Sequence, residues 1–193
     1  MDAVLNRLVD KAWDKFLKTP EEQRFLIAIG GIPGSGKTTL SKRLTDALNA
    51  RYAAQFPDMP PIAAFVPMDG YHYTRAQLDA MPDPATAHAR RGAEFTFDGE
   101  GFLQLVKRLK EPLSNQTTTI FAPSFDHAIK DPKENDIAVE KWHRIVVLEG
   151  NCELPPPISP FFLRRHLVWL RLRPDINDLY SLVTLPIFPY LNL

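Results

Sequence analysis

The stretch that most constrains this chain is Gly31-Ile32-Pro33-Gly34-Ser35-Gly36-Lys37-Thr38. Its spacing, G-x-x-x-x-G-K-[ST], wraps phosphate in main-chain amides when it joins a strand to a helix. Both flanks fit. Arg24 to Gly30 (RFLIAIG) is a short apolar run of strand character. From Thr38 to Gln55, Leu40, Leu44, Ala47 and Leu48 recur at helical spacing, with Lys42, Arg43 and Asp46 between them. Gly31, Gly34 and Gly36 permit backbone angles closed to other residues, and a helix opening near Lys37 adds unpaired N–H groups and the positive end of its dipole. In such a loop Lys37 reaches the β- and γ-phosphates and Thr38 holds Mg²⁺ through its hydroxyl. The expected nucleotide-binding set is Gly31, Gly34, Ser35, Gly36, Lys37, Thr38 and Thr39, with ATP and Mg²⁺ as the cofactor pair. The expected fold class is α/β, a P-loop NTPase three-layer α/β/α sandwich with a mostly parallel central sheet.

Length and composition narrow the partners. The 193 residues suit a substantial core. Lysine plus arginine balance aspartate plus glutamate at 23 each, so nothing favours broad binding to nucleic acid or to an anionic membrane. The single cysteine, Cys152, can form no internal disulfide, which fits a reducing compartment. No apolar run is long enough to span a bilayer. The first residues lack the pattern of a secretory signal, and Asp2, Asp10 and Asp14 argue against an acidic-poor transit peptide. The expectation is a cytoplasmic protein with a small-molecule partner, no nucleic acid and no membrane. Oligomeric state is not written in the pattern.

Taken in order, residues 2–18 predict an amphipathic helix with Val4, Leu5, Leu8, Val9, Ala12, Trp13, Phe16 and Leu17 on one face. Packing on the domain's own sheet is preferred to a partner helix or a membrane surface, because amphipathic surface helices usually face their own core and the opposite face is not markedly basic. Thr19-Pro20 ends this helix. Pro57, Pro60 and Pro61 mark a loop, and Ile62 to Met68 (IAAFVPM) reads as a buried strand. Asp69-Gly70-Tyr71-His72 follows. In an open parallel sheet ligands bind beyond the carboxyl ends of the strands, so Asp69 is placed beside the phosphate loop. A carboxylate there can accept a proton from an attacking hydroxyl. On spacing alone, a turn aspartate before glycine is an equal alternative.

Residues 82–97 show no periodicity and read as an excursion near the site. Arg90 and Arg91 either clamp an anionic group or form a solvated basic pair, the plainer of the two readings. Asp98 is placed to N-cap a helix carrying Phe102, Leu105, Val106 and Leu109, which accounts for the D-x-x-G-like Asp98 to Gly101. Thr117 to Ala122 predicts a strand, after which Asp126 and His127 either touch substrate or hold the loop. Residues 130–134 read as a polar loop, 137–139 as a short edge strand, and Arg144 to Leu148 (RIVVL) as a buried strand ending in Glu149-Gly150-Asn151. Glu149 either orders the Mg²⁺ shell or caps a turn; the pattern leaves both open.

In order, GIPGSGKTTLSKRL, PMDGYHY, RRGAEFTFDGEGF, PSFDHAIKDP and VVLEGN resemble the uridine kinase/phosphoribulokinase-like family of P-loop kinases over about residues 24–151. The resemblance implies transfer of a phosphoryl group from ATP to a hydroxyl of a small molecule such as a nucleoside, sugar or pantothenate-like alcohol. It implies Asp69 as general base, with Lys37 as the other catalytic residue. Tyr71, His72, Arg91, Gly92, Asp126 and His127 would face the acceptor, and Glu149 would join Thr38 near Mg²⁺. It also divides the chain into a packing helix over 1–23, a kinase core over 24–151 and a divergent segment over 152–193.

Beyond Asn151 the pattern departs from the family. Cys152 stands where similar members carry tyrosine, and Leu154 to Pro160 is too rich in proline for a helix or inner strand. Leu167 to Leu172 (LVWLRL) still reads as a strand. Arg164-Arg165-His166 echoes a lid run but precedes that strand. The expectation is an altered or truncated carboxyl end with an incomplete or absent lid. Lid arginines neutralise charge on the transferring group, so the alternative reading is a weak or inactive nucleotide-binding relative. A GTP switch or motor is disfavoured, since no N-K-x-D run is present.

Overall fold

A computed structural model describes residues 2–31, 34–150, 167–172 and 180–183. The elements are α1 (Asp2–Phe16), β1 (Phe25–Gly30), α2 (Lys37–Gln55), β2 (Ala63–Pro67), a 3₁₀ turn (Met68–Tyr71), α3 (Arg75–Asp79), α4 (Pro84–Ala89), a second 3₁₀ turn (Glu94–Thr96), α5 (Gly99–Leu109), β3 (Ile120–Asp126), β4 (Asp131–Val139), β5 (Ile145–Gly150), β6 (Leu167–Leu172) and β7 (Tyr180–Val183).

Five strands form one sheet in the order β2-β5-β1-β6-β7. The first four run parallel, and β7 pairs antiparallel with β6. Strands β1 and β5 are apolar almost throughout because they are covered on both faces, as parallel strands need to be. Successive side chains leave a strand on opposite faces, and the core divides accordingly. Phe25, Ile27, Ile29, Ile145 and Val147 pack with Leu5, Leu8, Ala12, Trp13 and Phe16 of α1 and Leu40, Leu44 and Leu48 of α2. Leu26, Ala28, Ala64, Val66, Val146 and Leu148 pack with Phe102, Leu105, Val106 and Leu109 of α5 and Ile120 and Ala122 of β3. Helices on both sides of a mostly parallel sheet make the three-layer α/β/α sandwich that the glycine loop implies.

Several local readings need correction. Leu17 lies beyond the end of α1 and is 66% exposed. Residues 82–97 contain α4, N-capped by Asp83 with Pro84 in its first turn, and a 3₁₀ turn. Residues 131–134 belong to β4 and not to a loop. Strand β3 reaches Asp126 and pairs with β4 in a separate two-stranded sheet, with a register shift between Ala122 and Ser124. Strand β7 carries no sequence signal that anticipated it. The cap at Asp98 is as expected, its Oδ1 accepting from the Gly101 N–H at 2.8 Å. The proline run 155–160, the Arg164-Arg165-His166 echo and the last ten residues lie outside the described residues.

Candidate active site

The site is built where β1, β5 and β2 end side by side. In register, Glu149 of β5 lies between Ile29 of β1 and Pro67 of β2. The glycine loop therefore leaves β1 and the Asp69 turn leaves β2 on either side of one carboxylate. Gly34 and Gly36 have φ of 76° and 83°, in the left-handed region that favours glycine. Gly36 caps α2, and no side chain bonds to the helix end there. That leaves the first N–H groups and the positive end of the dipole directed at the loop.

Lys37 opens α2 and is buried, its Nζ 4.0 Å from Glu149 Oε1. Thr38 Oγ1 donates to Glu149 Oε2 at 3.2 Å. Thr39 is exposed on the same turn, Ser35 half-buried in the loop, and Gly31 buried at the end of β1. Glu149 itself is only 5% exposed. Burial pushes its carboxyl above the usual glutamate range and the Asp69 charge adds to this, while Lys37, the Thr38 hydrogen bond and Lys42 pull the other way. Two acidic groups thus converge beside the phosphate loop from adjacent strand ends.

Asp69 is half-buried in the 3₁₀ turn that follows β2. That turn is wedged against β3. A Cβ on Gly70 would fall 2.1 Å from the Pro123 carbonyl oxygen, so only glycine allows this approach. The Asp69 carbonyl accepts from the His72 N–H at 3.2 Å and pairs with His72 Nδ1 at 2.9 Å. His72 packs on Phe97 at 3.9 Å and Phe125 at 5.0 Å between ring centroids, and burial pushes its pKa down, which favours the neutral ring.

The other residues expected at an acceptor are placed differently from one another. Tyr71 does not line an open pocket. It is 8% exposed, meets Phe102 edge-on at 5.3 Å, and has its hydroxyl pKa pushed up to about 12, first by burial. It belongs to the core because it follows the wedged Gly70. His127 is exposed, with its ring edge on Phe125 at 5.1 Å. Asp126 Oδ1 accepts from the Ala128 and Ile129 N–H groups and so holds the β3–β4 turn. Gly92 has φ 105° and donates its N–H to Thr96 Oγ1. Arg91 turns both terminal nitrogens onto the protein, Nη1 on the Lys130 carbonyl and Nη2 on the Tyr73 carbonyl at 2.7 Å and Asp131 Oδ1 at 3.3 Å, while its Nε is buried without a hydrogen-bond partner. Its guanidinium also lies 5.4 Å from the Phe125 ring centre. Arg90 is exposed over Phe95.

No protein-family model matches the chain. It is 66% identical over 83 residues to the ATP-dependent kinase-like protein notR' of Aspergillus versicolor, covering 43% of this chain and 48% of that protein. It is 43% identical over 160 residues to a protein of Schizosaccharomyces pombe named as a candidate uridine kinase, covering 82% of this chain and 61% of the relative. The chain thus spans about half to three-fifths of these curated relatives. Among solved structures, a candidate fructose transport system kinase of Silicibacter sp. TM1040 matches at TM-score 0.70 and 32% identity, over 91% of this chain and 77% of the other. The chain belongs to the uridine kinase-like P-loop kinases.

The residues of this uridine kinase-like chain fit the expected cofactors. Among the described residues no group of three or more His, Cys, Asp or Glu side chains could hold a metal by itself. A magnesium ion that keeps waters and uses substrate phosphates needs only one or two protein ligands. Thr38 Oγ1 and the Glu149 carboxylate supply hard oxygen donors at the right strand ends. No described helix is long and apolar enough to cross a membrane. Three residues went unnoticed in the sequence. Phe97 and Phe125 flank His72 from the F-T-F-D and S-F-D-H motifs, where their ring character was the available signal. Asp131 accepts from Arg91 and from the Arg75 N–H at 2.8 Å, and had no such signal.

Proposed function

We propose that this protein transfers the γ-phosphoryl group of ATP to a hydroxyl of a small molecule, in the class of nucleosides, sugars or pantothenate-like alcohols. The observation that carries this reading is the meeting of Lys37, Thr38 and Glu149 at the end of β5, with Asp69 one strand over. The neutral formal charge supports a small acceptor over a nucleic acid.

Bound ATP with Mg²⁺ supplies the phosphoryl group and spreads its negative charge. The chain's residues do the rest. Main-chain N–H groups of the glycine loop and the start of α2 hold the phosphates. Lys37 neutralises charge building on the β- and γ-oxygens, and Thr38 and Glu149 would hold the metal. Asp69 accepts the proton of the acceptor hydroxyl as its oxygen bonds to the γ-phosphorus. The bond from that phosphorus to the β,γ-bridging oxygen breaks, leaving ADP and a phosphomonoester. Phosphoryl transfer of this kind is catalysed chiefly by positioning and charge stabilisation. His72, held neutral between Phe97 and Phe125, and exposed His127 give the acceptor side an aromatic wall.

A panel of nucleosides, sugars and pantothenate-like alcohols with Mg·ATP, read as transferred γ-phosphate, tests the proposal. A phosphomonoester from at least one member is expected. Tight ATP binding with no product from any hydroxyl acceptor would contradict it.

A further inference from the structure

At the end of the sheet away from the phosphate loop, the residues entering β1 meet the end of α5 and the segment leading into β3. A cavity of about 190 Å³ lies there, lined in part by Arg24, Arg108, Glu111, Gln116, Thr117 and Thr118. One water needs only roughly 10–15 Å³, so there is room for a small molecule's polar group. The Leu113 N–H donates to the Glu22 carbonyl at 2.6 Å, tying the lining segment to the lead-in of β1.

Arg24 is the unusual member. It is 7% exposed, and its Nε donates to the His143 carbonyl at 3.3 Å. Its Nη2 is buried and has no hydrogen-bond partner. Among the described residues Arg24 forms no ion pair. Glu111 lies near enough to favour its charge, but burial outweighs this and holds the guanidinium below its usual pKa. A buried cation without an ion pair is costly, and because Arg24 lines the cavity a negatively charged occupant would offset its charge. The rim is rich in donors. Thr117 Oγ1 accepts from the Ser114 N–H at 2.8 Å and Ser114 Oγ from the Gln116 N–H at 3.2 Å, so both hydroxyl hydrogens are left to donate. Arg108 adds a second guanidinium, and such forks suit phosphate oxygens.

We propose that this cavity is a second anion-binding site, which takes a phosphate group of a small molecule at the opposite edge of the sheet from the nucleotide. The six residues of β1 separate it from the glycine loop by roughly 20 Å. Nothing in the proposal depends on phosphoryl transfer.

The test is a titration of the full chain with inorganic phosphate, followed by backbone amide NMR against sodium chloride at matched ionic strength. Residues 114–118 should show saturable shifts with phosphate and none with chloride. R108Q should weaken that response about ten-fold, the value of a charged hydrogen bond, and R24Q should remove it. Amides 34–39 should respond to phosphate alike in all three proteins. Arg108 is exposed, so R108Q keeps the test decisive if R24Q does not fold. Shifts at 114–118 that chloride reproduces, that never saturate, or that are unchanged in R108Q would overturn the proposal.

Discussion

Glu149 carries the tension of the site. It is buried, faces the Asp69 charge, and is only partly offset by Lys37 and the Thr38 hydroxyl. Its folded pKa therefore stands above the ordinary glutamate value of 4.5. A raised carboxyl contributes stability that is present below the unfolded pKa and is lost as pH rises through the folded one. Glu149→Gln cannot ionise and escapes that loss. The difference in Tm between E149Q and the parent should thus grow in favour of E149Q between pH 4.5 and pH 7.5, measured without nucleotide. A difference that shrinks over that range would show that the Lys37 contact outweighs burial. Phosphoryl transfer by E149Q should fall at the same time, as expected where a strained group serves function at a cost in stability.

Among elements, the β3–β4 hairpin depends on contacts remote in sequence. Its turn is tied to the segment after α4 by Arg91, which reaches the Lys130 and Tyr73 carbonyls and Asp131. A lysine ammonium is a compact point donor and cannot reproduce the guanidinium's planar fork onto these separated acceptors. Arg91→Lys should lower unfolding free energy by about 1.5–3 kcal/mol, the range for hydrogen bonds to charged groups, read from urea denaturation. No change would mean that the Arg91 contacts are solvent-equivalent. These contacts join residues that no local sequence pattern pairs. Arg91 was visible as a basic residue in a motif, but Asp131 lies 40 positions away and is found only once the chain has folded. Most of β4 from Asp131 to Asp136 is polar and open to solvent, so it gives no alternating apolar signal. The β-branched run at 117–122 announced a strand but not which sheet would hold it. By contrast, β1, β2 and β5 were legible because burial on both faces demands unbroken apolar runs.

For the molecule as a whole, the parallel sheet does the placing. Strands β2, β5 and β1 are adjacent and end together, so segments far apart in sequence deliver Asp69, Glu149, Lys37 and Thr38 to one edge. The phosphate loop and the strand-end positions of both acidic residues could be read from the sequence, since each follows an apolar run, whereas the pattern alone left the role of each carboxylate open. Tyr71 could not be separated from His72 by pattern, because the wedge of Gly70 against Pro123 sends one ring into the core and the other between Phe97 and Phe125.

The central claim is that the carboxylate at position 69 takes the proton of the incoming alcohol beside the phosphate loop. Its most direct measurement is single-turnover phosphoryl transfer by Asp69→Asn with the best acceptor of the panel, alongside Mg·ATP affinity. The account predicts transfer slower by about 10²–10⁴-fold, the usual worth of a positioned base, with ATP affinity essentially unchanged. Transfer by D69N at the parent rate would contradict it.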